Sequence, residues 1–180
     1  MKKLFLLTAI VCLVVPLAAQ AQEKKEYNGD MPAMAPPAPL NDEWSNWLVG
    51  EWEGWTENAM GKSKDRLVIE KGLGDQFLMI QISSKLGEVD WTGMGCMTVD
   101  PKTGELRGYW IDSFRGMYEG TGKQEGDEET MTWKGTMGKA VRVTKKVSAD
   151  KFVVSEKMSM PDGSVMEGKA EMTRVKKKKY

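Results

Sequence analysis

Histidine is absent from all 180 residues. That removes Ser-His-Asp and Cys-His nucleophile systems, and with them the commonest metal ligand. Carboxylates, Lys, Arg and Tyr are what remain for acid–base chemistry. No glycine-rich loop stands between a strand pattern and a helix pattern, so no phosphate cradle is expected. A surplus of charge is missing too. The chain has 26 basic residues against 26 acidic ones, which is no electrostatic footprint for nucleic acid. Long apolar runs are missing after the first two dozen residues, so no transmembrane segment is expected in the remainder. Cysteine occurs only as Cys12 and Cys96.

The one apolar run, residues 4–17, follows Lys2 and Lys3 and precedes Ala19 and Ala21. A positive start, a short apolar stretch and a small-x-small site make residues 1–21 a secretory signal peptide, with the mature chain beginning near Gln22. The run is short of the roughly 20 apolar residues a spanning helix needs, and Pro16 interrupts it. Lipid attachment at Cys12 is disfavoured because Val11 is large and the run continues to Leu17. The product is therefore expected to be exported, to the periplasm or outside the cell. Removing Lys2 and Lys3 leaves 24 basic residues against 26 acidic, a net charge of −2. Cys12 leaves with the signal, so Cys96 stands alone and the domain must hold itself by its core. Residues 176–180 form a basic tail. Solvation is its ordinary role, and contact with an anionic surface is the alternative.

Residues 22–40 read as a tether. Charged residues lead into Met31-Pro-Ala-Met-Ala-Pro-Pro-Ala-Pro39, whose prolines deny helix and ladder hydrogen bonds, so the stretch is expected to be extended or disordered. Asn41-Asp42 then caps a short helix to about Val49, with Trp44, Trp47 and Leu48 on one face and Gly50 at its end. Everything after Gly50 alternates like strands between turn residues. The runs are 51–57, 65–71, 76–84, 91–99, 106–113, 116–123, 130–136, 139–147, 152–160 and 164–174. Asp100-Pro-Lys-Thr-Gly104 and Pro161-Asp-Gly163 are the strongest turns. About ten strands with short connections must be antiparallel neighbours. Closure into an up-and-down β-barrel over residues 41–175 removes the exposed edges. A two-sheet sandwich is the competitor, but no long Greek-key connection is present. So many strands enclose more volume than an eight-stranded barrel, which makes an internal ligand cavity plausible.

Three stretches carry a resemblance. Trp47-Leu-Val-Gly-Glu-Trp52 looks like the opening of calycin-type barrels. Gly93-Met-Gly-Cys-Met-Thr-Val-Asp100 with Gly108-Tyr-Trp-Ile-Asp-Ser113 resembles the bacterial family DUF1579, a domain of unknown function. The segment from Val141-Arg142-Val143 through Asp162-Gly163 to Met172-Thr173-Arg174 continues the likeness, which spans residues 44–175. The resemblance implies a lipocalin-like or fatty-acid-binding-like all-β barrel and no particular activity. Nitrobindin-like barrels are similar in shape but hold haem through a histidine. This chain has none, so no cofactor is expected.

Candidate site residues follow from alternation. Asp112 shares a face with Trp110, where it either binds a polar head, acts as a base, or accepts backbone N–H bonds at the strand end. Arg142 lies between Val141 and Val143. Plain alternation turns the valines inward and Arg142 to water; the opposite register makes Arg142 an anion anchor. Glu156 shares a face with Phe152, Val154 and Met158 and belongs at the rim or with a buried partner. Trp91, Trp110 and Trp133, on separate strands, either line a pocket or fill the barrel. The many strand methionines suit both roles. Of Tyr118 and Glu119 only one can face in, and Cys96 reads as an inert mid-strand thiol. The leading reading is a non-catalytic barrel for a small apolar or amphipathic ligand, with Trp110, Asp112, Trp133, Arg142 and Glu156 around it. The alternatives are an enzyme using carboxylate acid–base chemistry centred on Asp112, or an envelope interaction module with a solid core.

Overall fold

The computed structural model describes residues 35–176. The expected signal peptide (1–21), residues 22–34 of the tether and residues 177–180 of the tail lie outside the described residues.

At the described end of the tether, residues 36–40 hold no helix or strand and are docked on the domain. The Leu40 N–H donates to Asp75 O at 2.8 Å, and Lys71 Nζ donates to Leu40 O at 2.7 Å. Gln76 Nε2 reaches Pro37 O at 2.9 Å. Pro37 and Leu40 are thus held against Lys71, Asp75 and Gln76. Asp42 caps α1 (Glu43–Leu48), its Oδ1 accepting from Ser45 N at 2.7 Å. This satisfies one of the donors that a helix start leaves free.

Ten strands follow: β1 (Gly50–Asn58), β2 (Gly61–Gly72), β3 (Phe77–Leu86), β4 (Val89–Val99), β5 (Leu106–Asp112), β6 (Met117–Glu125), β7 (Glu128–Gly135), β8 (Gly138–Ser148), β9 (Lys151–Ser159) and β10 (Val165–Arg174). Each pairs antiparallel with the next, and β10 returns to β1 to close the barrel. The expected antiparallel up-and-down barrel with a short N-terminal helix is the observed fold. The largest boundary difference is in β2, which starts at Gly61 rather than at residue 65. Asn58 Oδ1 accepts from Met60 N at 2.8 Å, making a turn tighter than its polar sequence suggested. The polar stretch Lys62-Ser-Lys64 is strand, with Ser63 turned inward and buried.

The helix seals one end of the barrel. Trp44 and Leu48 are buried there, and Trp52 is fully buried beneath them. Trp52 Nε1 donates to Leu48 O at 2.9 Å, and its ring packs edge-on against Phe152, with centroids 4.8 Å apart. The Arg174 guanidinium lies 4.0 Å from the Trp52 ring centroid, a cation–π contact. It also donates to Val49 O at 2.8 Å and to Trp47 O. The last strand therefore clasps the helix C-terminus, where free carbonyls need donors.

Candidate ligand-binding site

The inner wall is built by parity, since alternate residues on each strand face the lumen. On one side it is a wall of glycines covered by indoles. Gly95 stands opposite Trp110, and Gly120 opposite Trp133. A Cβ at Gly95 would lie 2.7 Å from Trp110 Cε3, and one at Gly120 would lie 2.6 Å from Trp133 Cε3. A Cβ at Gly108 would meet Trp133 Cη2 at 2.9 Å. The rings therefore lie across strands that bear no side chain there. This is the close approach that a strand-interior glycine permits. Trp91 stacks on Trp110, with centroids 6.2 Å apart and planes 24° apart.

Laid flat, these rings leave a cavity of about 100 Å³. Leu67, Ile80, Met131, Phe152 and the three indoles of Trp91, Trp110 and Trp133 give it apolar walls, with Glu129, Arg142 and Thr144 on the β7–β8 side. Pockets for drug-sized ligands run roughly 300–1,000 Å³. The internal cavity that ten strands make plausible is present but small, with tryptophan and methionine side chains among those that fill the rest of the interior.

The polar groups in this interior are few. Glu129 is 6% exposed and accepts from Trp44 Nε1 at 2.9 Å. Burial pushes its carboxyl above the ordinary range, while the Trp44 N–H and the Arg142 charge pull it back. Arg142 Nε lies 3.9 Å from Glu156 Oε2, and both side chains are about a third exposed. Across the barrel, Asp65 is buried and accepts from Ser63 Oγ at 2.7 Å and from Thr56 Oγ1. Trp133 Nε1 is buried with no acceptor among the described residues.

Residues 41–174 match the family described as "Protein of unknown function (DUF1579)". The chain belongs to the DUF1579 family. No curated protein matches it. Among solved structures it is similar to the S-type phycobiliprotein lyase from Guillardia theta, with a TM-score of 0.58 and 11% identity over 76% of this chain and 93% of that one. It is also similar to Rv2717c from M. tuberculosis, with a TM-score of 0.55 and 13% identity over 72% of this chain and 94% of the other. At such identities the likeness is one of fold.

In this DUF1579 barrel the residues singled out by sequence fall into two groups. Trp110, Trp133 and Arg142 line the cavity, and Glu156 joins them through Arg142. Plain alternation pointed Arg142 to water; the structure corrects this. Ala140, Arg142 and Thr144 face inward and Val141 is exposed. Ala140 is buried opposite Trp133, and Arg142 and Thr144 share its parity on β8. Asp112 lies apart, as the last residue of β5. Its Oδ1 accepts from Phe114 N at 2.9 Å and Gly116 N at 3.0 Å, closing the β5–β6 turn. Of the adjacent pair, Tyr118 faces in and Glu119 out. Burial, then the nearby Asp112 and Glu156 charges, raise the Tyr118 hydroxyl above its usual value. Glu129 was not anticipated. Its signal was available, because Glu129, Met131 and Trp133 share parity on β7, but the strand was expected to begin at 130.

Proposed function

We propose that this DUF1579 protein is an exported, non-catalytic barrel that binds a small amphipathic molecule in its lumen. The observation that carries this is the composition of the cavity wall. Flat apolar rings of Trp91, Trp110 and Trp133 face a short polar strip that contains Arg142. A concave apolar surface with a few fixed polar groups is what small-molecule sites share. Asp112, the strongest candidate for a base, is already engaged by two backbone N–H groups of a turn, which favours binding over carboxylate catalysis. The cavity volume limits a wholly enclosed occupant to a group smaller than benzene, which a cavity of about 150 Å³ holds. A longer ligand would reach past the Trp91–Trp110 stack.

The test is to purify the protein from its native host, extract it under denaturing conditions and identify small molecules by mass spectrometry. A species at near-stoichiometric amount, absent from the Trp110→Glu variant, is the expected result. Amino-terminal sequencing of the same sample should begin near Gln22, which tests export. A second reading, an interaction module with a solid interior, is favoured by the small cavity and by an outer row of exposed Met94, Ile111 and Met117 on adjacent strands. Absence of any bound species, together with unchanged stability on adding apolar and amphipathic compounds, would move the assignment there.

A further inference from the structure

One buried donor in the lumen has no acceptor among the described residues. Trp133 is 9% exposed, and its Nε1, a donor only, has no partner among the described residues. The edge of that indole seated over Gly108 and Gly120 carries Cε3, Cζ3 and Cη2; the N–H is on the opposite edge of the ring. One strand away, the Arg142 guanidinium carries five N–H donors. Among the described residues it makes no hydrogen bond and meets Glu156 only at 3.9 Å. The two residues are neighbours by register: Trp133 pairs with Ala140 and Met131 with Arg142, so they sit two positions apart on adjoining strands, and both line the same cavity. An orphaned buried donor beside a loosely held cation is a site built for an acceptor.

We propose that the subsite between Trp133 and Arg142 takes the carboxylate of a small organic acid, head inward, with its apolar part lying toward the Trp91–Trp110 stack. This rests on the ligand-binding reading above and deepens it. One carboxylate oxygen accepts from Trp133 Nε1 and the other from Arg142, whose planar guanidinium suits that geometry. A cavity of about 100 Å³ accommodates a carboxyl group and a few carbon atoms, and the rest of the molecule runs past the Trp91–Trp110 stack.

The indole N–H resonances report this directly. The chain has 7 tryptophans, and the resonance missing from a Trp133→Phe variant identifies that of Trp133. Nitrogen-15-labelled protein is titrated with hexanoate, hexanol and hexylamine, three probes of one tail and different heads. The expected result is a downfield shift of the Trp133 N–H with hexanoate, and a preference for hexanoate over the other two. The affinity should fall about tenfold or more in Trp133→Phe and in Arg142→Gln, as loss of a charge-assisted hydrogen bond implies, with Arg142→Lys retaining part of it. Equal binding of hexanol or hexylamine overturns the carboxylate assignment and leaves the binder reading standing. If no probe moves the Trp133 resonance, the subsite proposal fails and a buried water serves that N–H. The binder reading is then judged separately by the native extract.

Discussion

Glu129 brings a carboxyl into the helix-sealed end of the barrel, where Trp44 donates to it and burial raises its proton affinity. The consequence for stability has a definite sign. An unfolded glutamate titrates near pH ~4.3, whereas the folded one keeps its proton to higher pH. The folded state therefore binds more protons across that interval, and stability falls as pH rises through the folded value. Glu129→Gln keeps a carbonyl to accept from Trp44 Nε1 and removes the titration. It should match the parent in acid, near pH ~4, and exceed it at neutral pH; urea unfolding at both pH values checks this. A variant weaker at neutral pH would mean that the ionised form, paired with Arg142, is the folded species. Trp52 gives a simpler case. It is fully buried, and its N–H is bonded to Leu48 O, so Trp52→Ala should cost about 3–5 kcal/mol in the same assay. Trp52 was legible from its place at the head of the first strand. Arg142 was not, because two flanking valines suggested the wrong parity and nothing in one strand's own sequence reveals which of its residues pairs with a neighbour's inward indole.

At the scale of elements, the strands were readable because turns punctuate them every few residues and one face of each is apolar. What escaped was polar sequence that is still strand. Lys62-Ser-Lys64 pairs with β1 through Ser63 opposite Thr56, and the inward Ser63–Asp65–Thr56 hydrogen bonds take the place of apolar contact. The helix is the element whose role is easiest to isolate. It contributes Trp44 and Leu48 to the core, and each fully buried large apolar side chain is worth about 1.5–3 kcal/mol. A chain starting at residue 36 should unfold at the same temperature as the longer protein, because it retains the contacts of Pro37 and Leu40 with the β2–β3 turn. A chain starting at residue 50 should lose several kcal/mol, since Trp52 and Glu129 are then uncovered. Thermal scans of the two truncations separate a sealing helix from an ornamental one; equal midpoints would refute the sealing role.

The described barrel is a ring of nearest-neighbour hairpins with one exception, the β1–β10 seam, whose partners Trp52 and Arg174 stand at opposite ends of the barrel's stretch of sequence. All other pairings are local, so the seam carries the largest loop-closure entropy and should be the slow step in forming the barrel. Its geometry also brings the ends of the domain together: Val175 N donates to Glu51 O at 2.8 Å, and Arg174 reaches the carbonyls of Trp47 and Val49. Neighbouring termini are the condition under which circular permutation is tolerated. The Gly87-Glu88 turn between β3 and β4 is exposed, and a side chain at Gly87 would meet nothing within 4 Å, which makes it a suitable new opening. A permutant with a flexible linker of about ten residues from Lys176 to Pro36, opened between Gly87 and Glu88, should keep the barrel and change its equilibrium stability little. It should also fold faster, because β1 and β10 become close in sequence while the newly separated pair, β3 and β4, retains local neighbours on its other sides. Stopped-flow refolding monitored by Trp fluorescence measures this. An unchanged or slower folding rate at equal stability would show that some contact other than the seam limits closure.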